Sequence, residues 1–161
     1  MDMHTGIDLK LALVAAVLGI ASAPHAIADE PIASEDGSAT GQSERTLQRL
    51  RANSGITLQW IGWDYRGQMM LREQGDTVHL SGGQIDQSGG GTLWLDGEVV
   101  SSGDEHFIFE GLIRIANTPD DGRICQDTKR WRFAITQNRK YYRLREFEWC
   151  DGLTDYIDIY L

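Results

Sequence analysis

The sequence predicts an all-β protein. The expectation is a small antiparallel meander of about eight strands, with a closed barrel favoured over a two-sheet sandwich and one short helix ahead of it. Three observations carry this. All fourteen aromatic residues lie between Trp60 and Tyr160. From Ile56 onward, period-two apolar runs alternate with Gly, Asp and Asn turn signals. No helical pattern of ten or more residues interrupts them. Short connections favour antiparallel neighbours, because parallel strands need long crossovers. Closure is favoured because it removes exposed strand edges.

In chain order, residues 1–28 read as a signal peptide. Residues 11–23, LALVAAVLGIASA, form an apolar run of thirteen, short of the roughly 20 a bilayer span needs. Lys10 precedes the run and Ala26-Ile27-Ala28 follows it with a small-x-small cleavage pattern. Cleavage is expected between Ala28 and Asp29. The alternative is an N-terminal anchor that stays attached. Residues 29–42 are small, acidic and nearly free of large apolar groups, and read as a flexible leader. Residues 43–161 read as one domain. Its helix spans 43–53, with Ser43 as N-cap and Asn53-Ser54-Gly55 as the stop. Arg45, Arg49 and Arg51 are its expected solvated face.

Eight strands are expected near 56–63, 67–73, 77–83, 92–100, 105–116, 123–136, 139–149 and 154–161. An internal repeat supports strand curvature. Val78-His-Leu80-Ser-Gly82, Leu93-Trp-Leu95-Asp-Gly97 and Phe107-Ile-Phe109-Glu-Gly111 share the form apolar-x-apolar-x-Gly. Glycine on the apolar face lets a strand bend or another backbone approach. A stacked β-solenoid is the alternative, but the repeat stops at Ile115. The expected architecture is similar to small exported barrels such as lipocalins, avidins and periplasmic lysozyme inhibitors. No motif of those families matches residue for residue, so the likeness is one of fold alone.

Composition bounds the function. The chain has 161 residues, 24 acidic and 15 basic, with net charge -9. That excess argues against nucleic-acid binding, which needs a surplus of Lys and Arg. A hydrophobic content of 41% fits neither a polytopic membrane protein nor a wholly disordered chain. After cleavage, no stable membrane insertion is expected, and the compartment is periplasmic or extracellular.

Cys125 and Cys150 are the only cysteines, and in an oxidising compartment they are expected to pair. A hairpin of 130–136 and 139–145 around Gln137-Asn138 opposes residues whose numbers sum to 275. The two cysteine numbers have the same sum. Closing this loop is worth about 3–4 kcal/mol in the chain-entropy picture. That register turns Trp131, Phe133, Ile135, Tyr142 and Leu144 inward. It sets Arg130 opposite Arg145, Arg132 opposite Arg143, and Ala134 opposite Tyr141 on the other face.

Like charges directly opposed are unfavourable, so four stacked arginines need a reason. Residues 123–150 carry net +5, which leaves -13 on the rest of the mature chain. Arginine forks suit carboxylate and phosphate oxygens, and Tyr141 offers a stacking surface beside them. Arg130, Arg132, Arg143, Arg145 and Tyr141 are therefore the candidate face for an anionic small molecule or an acidic partner protein. The competing reading is a structural ladder with Asp158, which shares a face with Tyr156 and Tyr160.

Other chemistry is sparse. The mature chain has two histidines, His79 and His106, on different expected strands and without metal spacing. GxSxG, HExxH, P-loop and CxxC signatures are absent. No cofactor or metal is expected, and enzyme status stays open with a non-enzyme favoured. Two alternatives remain. Trp60, Trp63, Trp94, Met69 and Met70 either fill the barrel core or line a cavity for a small apolar ligand. Asp64, Asp86, Asp96 and Glu98 offer an acid pair for a small hydrolase, with nothing to fix their separation.

Overall fold

The computed structural model describes residues 43–161. The expected signal peptide over 1–28 and leader over 29–42 lie outside the described residues. The elements are α1 (Glu44–Arg51), β1 (Gly55–Leu58), β2 (Gln68–Gln74), β3 (Thr77–Ile85), β4 (Thr92–Gly103), β5 (His106–Ala116), β6 (Ile124–Ala134), β7 (Tyr141–Leu144) and β8 (Ile157–Tyr160). All eight strands join one antiparallel sheet in the order β1-β8-β7-β6-β5-β4-β3-β2. Consecutive strands from β2 to β8 thus pair with one another, and β1 pairs with β8. At the remaining seam, a bridge joins Ile56 to Gly67, just before β2. The result is a nearly closed up-and-down barrel, as the sequence predicts.

Alternation fills the interior. Phe107, Phe109, Trp131, Phe133 and Tyr142 are fully buried with Leu80, Leu93, Leu95 and Ile113. Phe107 stacks on Phe133 at 5.1 Å and meets Tyr142 edge-on at 5.1 Å. Helix α1 buries Thr46, Leu47 and Leu50 against this core. The Thr46 hydroxyl lies 3.0 Å from the Tyr142 hydroxyl and donates to the Gly103 carbonyl at 2.5 Å. Ser43 occupies the N-cap position, but its hydroxyl bonds Asp104 (2.8 Å) instead of the first turn.

The repeat glycines sit where backbones crowd. Gly97 and Gly111 are directly opposed on β4 and β5. A Cβ at Gly97 would stand 2.3 Å from the Glu110 carbonyl oxygen, and one at Gly111 2.4 Å from that of Asp96. Gly82 has φ +156°, and a Cβ there would lie 2.1 Å from the Gln68 carbonyl oxygen. The glycines therefore allow close approach between neighbouring strands.

Three expectations need correction. The strands expected over 56–63 and 139–149 are shorter. Residues after Leu58 turn at once, with the Ile61 and Gly62 amides donating to the Leu58 carbonyl (3.0 and 3.1 Å). After Arg145, whose amide still bonds the Arg132 carbonyl, the chain leaves the sheet until Ile157.

The β6–β7 register also differs. The turn forms as expected: Gln137 and Asn138 have φ of 57° and 55°, and the Arg139 amide donates to the Thr136 carbonyl at 3.2 Å. Yet Phe133 opposes Leu144 and Ala134 opposes Arg143, a shift of two residues. Its physical cause is competition. The Ile135 amide bonds Glu105 and the Lys140 carbonyl accepts from Leu161, so both arms beside the turn are held by other neighbours. A two-residue shift preserves which face each side chain occupies. Cys125 and Cys150 do form a disulfide, with Cα atoms 5.7 Å apart, although Cys150 lies beyond β7.

The third correction concerns the tryptophans. Trp60, Trp63, Trp94 and Met70 neither fill the core nor line its interior. They are exposed, at 36%, 43%, 48% and 47%, and of the five residues expected together only Met69 is buried in the core.

Candidate functional site

The five predicted site residues fall on or next to the outer face of β6–β7, but not as one opposed quartet. The expected pairs Arg130–Arg145 and Arg132–Arg143 do not form. Arg130 reaches across to β5, where it is register partner of Glu110 and donates to its carboxylate at 2.8 Å. Arg143 opposes Asp158 on β8 and forks onto it at 2.7 and 2.6 Å. Asp158 is fully buried and Arg143 nearly so, at 0% and 14% side-chain exposure. Burial is the largest influence on the Asp158 carboxyl and pushes its pKa up, against the pull of the Arg143 fork. The ladder reading thus holds for Arg143 alone.

Arg132 and Arg145 have no such partner. The Arg145 amide donates to the Arg132 carbonyl at 2.8 Å, which continues the observed register and sets the two side chains opposite each other. Arg132 is exposed and Arg145 half-buried. Neither has a carboxylate partner among the described residues. The other bases of 123–150 sort by the same criterion. Arg123 is held by Asp151 and Asp155, and Lys129 by Glu146 and Asp127. Arg139 and Lys140 also lack a carboxylate partner, although Arg139 bonds the Gln137 amide oxygen at 2.9 Å.

A feature not foreseen in the sequence orders this surface. Arginines and aromatic rings stack along the outside of β7 and β8. Arg66 lies 3.8 Å over Tyr160, whose ring is 5.3 Å from Tyr141. Arg143 lies 5.1 Å from Tyr141 and 4.2 Å from Tyr156. Tyr156 meets Phe147 at 5.2 Å, and Arg145 covers Phe147 at 4.9 Å. The sequence signals were Tyr141, read as a stacking surface beside the arginines, and the shared face of Tyr156 and Tyr160. Arg66 and Phe147 come from segments without regular structure, so no strand periodicity marks them.

Stacking has a chemical consequence. A ring face attracts a guanidinium by about 0.5–1 kcal/mol at an exposed site, while the N–H donors point outward from the guanidinium edge. Phe147 therefore holds Arg145 without consuming its donors. The arrangement suits recognition of carboxylate or phosphate oxygens by Arg145 and Arg132 together.

Of the acids named for a hydrolase, Asp96 and Glu98 share the outer face of β4. Asp96 pairs with His79 at 3.3 Å on the outer face, Glu98 opposes Glu110, and Asp86 caps its own turn through Ser88 at 2.9 Å. The sulfurs of Cys125 and Cys150 lie near the Asp151 carboxylate, but the disulfide removes them as metal ligands.

Among relatives, the chain is 28% identical over 121 residues to the uncharacterized protein PM1083 of Pasteurella multocida (strain Pm70), across 74% of this chain and 78% of the relative. No solved structure matches it. Residues 38–161, which contain every described strand and the helix, match the PM1083 family, and the chain belongs to that family.

Proposed function

We propose that this chain is an exported, non-enzymatic binding or inhibitory module whose contact surface is the face around Arg132 and Arg145. Its ligand is an anionic small molecule or the acidic surface of a partner protein. One observation carries the reading: Arg132 and Arg145 stand opposed across neighbouring segments, and neither has a carboxylate partner among the described residues. Such a pair is unfavourable in isolation and is relieved by an anion. Arg130, Arg143 and Tyr141 frame it, the first two already paired within the barrel. Disulfide-bonded Cys125 and Cys150 support a periplasmic or extracellular setting. Among the described residues, no helix is long and apolar enough to cross a membrane.

The apolar-carrier alternative has less support, because large side chains occupy the interior. The hydrolase alternative has less support, because Asp96 is paired with His79 and Asp86 is held by Ser88. A direct test uses a fluorescein-labelled hexaglutamate peptide and fluorescence anisotropy. Saturable binding at low salt, lost in the Arg132→Ala/Arg145→Ala variant, is the expected result. Absence of binding by the wild-type protein, or equal binding by the variant, would contradict it.

A further inference from the structure

A second surface lies on β2, β3 and β4, where a groove of about 490 Å³ opens to solvent. Its floor is glycine. Gly67, Gly82 and Gly83 present backbone there, and the strands are pressed together beneath it. A Cβ at Gly67 would stand 2.0 Å from the Gly83 carbonyl oxygen, and one at Gly83 2.0 Å from that of Leu93. Side chains are thus excluded from the floor, and the groove follows from the glycines. Gly83 pairs with Trp94 on β4, so the indole stands beside a residue that offers it no side chain.

The walls are apolar and aromatic. Trp94, Met70 and Ile85 are 48%, 47% and 69% exposed. Tyr65 is fixed: its hydroxyl donates to the Ile85 carbonyl at 2.6 Å and accepts from the Gln87 amide at 2.9 Å. A ring already held in place has little conformational entropy left to lose on binding.

The rim supplies the charge. Arg66 lines the groove, stacks 3.8 Å over Tyr160 and donates to the Ser54 hydroxyl. It has no carboxylate partner among the described residues. Asp86, the acid next to Ile85, is turned into its own loop by Ser88. A groove of this size falls in the range of small-molecule sites, about 300–1,000 Å³. Apolar walls select a flat hydrophobic body, and Arg66, held at the β1 and β8 end by Ser54 and Tyr160, favours a negative group at that end.

We infer that this groove binds a small planar aromatic anion, its ring against Trp94 and Met70 and its charged group toward Arg66. Arg66 also belongs to the stacked row on β7 and β8, but the groove's walls share no residue with Arg132 or Arg145, and its ligand is distinguished by the need for an aromatic body. The test is titration with 2-naphthoate, followed by amide and indole chemical shifts in NMR, with 2-naphthalenemethanol as the uncharged control. Saturable shifts at Gly83, Ile85 and the Trp94 indole are expected. Arg66→Gln should weaken 2-naphthoate about tenfold, the scale of one charge-assisted hydrogen bond, and leave the alcohol unchanged. Trp94→Leu should weaken both, while Arg132→Ala/Arg145→Ala should change neither. Three results would overturn the inference: no saturable binding, binding insensitive to both Arg66→Gln and Trp94→Leu, or a concentration-dependent dimer abolished by Trp94→Leu, which would give this face to a second copy.

Discussion

The guanidinium of Arg143 forks onto the carboxylate of Asp158 at 2.7 and 2.6 Å from directly opposed positions of β7 and β8. Both side chains lie on the outside of the barrel, yet Asp158 is fully buried. Tyr141, Tyr156 and Trp63 lie within 5.1, 4.2 and 5.9 Å of the Arg143 guanidinium. A half-dry ion pair of this kind is costly to break from one side, because the remaining charge is stranded. Asp158→Asn should therefore destabilise the barrel by about 3 kcal/mol, the lower end for such pairs because Arg143 retains some exposure. Urea denaturation measures this. Replacing both residues by leucine should recover most of the loss; a double variant as unstable as the single one would show that the pair's charge is not the cause.

Acid stability should report Asp151. The Arg123 fork holds its carboxyl down to about 2, from the usual 3.8. A carboxylate with a depressed native pKa stabilises fully above its unfolded value, and this contribution fades as pH falls through the native value. The wild-type advantage over Asp151→Asn in thermal midpoint should shrink as pH drops from about 4 to about 2. An advantage constant across that window would exclude the Arg123 pairing as its source.

Gly97 and Gly111 leave no room for a methyl group, since each Cβ would fall under 2.5 Å from a backbone oxygen. The Gly111 carbonyl also accepts the Trp131 indole N–H at 2.9 Å. Gly111→Ala should cost at least about 1–3 kcal/mol, the range for overpacking, with a lower thermal midpoint as readout. Ser101→Ala, on the same strand as Gly97 but at the bulge, should stay within about 0.5 kcal/mol.

Arg132 should behave in the opposite sense. Because it faces Arg145 with no carboxylate partner among the described residues, removing its charge relieves repulsion. Arg132→Gln should leave stability unchanged or raise it by about 0.2–1 kcal/mol at low salt, and the gain should fall as salt screens the pair. Guanidinium chloride is itself a salt, so thermal unfolding at two ionic strengths is the suitable measurement. A loss of stability would assign Arg132 a structural partner.

Much of this was legible in the sequence, for physical reasons. Period-two alternation and short turns specify an antiparallel meander because burial of one face leaves few other arrangements. The Gln137-Asn138 turn was readable because both positions need left-handed backbone. What failed was everything set by competition between distant segments. The β6–β7 register shifted by two because Glu105 and Leu161 claim the groups beside the turn. Faces survived the shift, so Trp131, Phe133, Tyr142 and Leu144 still point inward, but the opposed arginines changed. Trp60 is tied by its indole bond at 2.9 Å to the buried Asp155, a contact across 95 residues that no local pattern announces. Arg66 and Phe147 joined the stacked row from irregular segments for the same reason.

The most direct measurement is the affinity of labelled hexaglutamate for the wild-type domain and for Arg132→Gln/Arg145→Gln, each at about 20 mM and about 0.3 M salt. An anion-binding face predicts wild-type binding that weakens with salt, and at least a tenfold loss in the variant at low salt with its thermal midpoint preserved. Equal affinity of the two proteins at low salt would contradict the account.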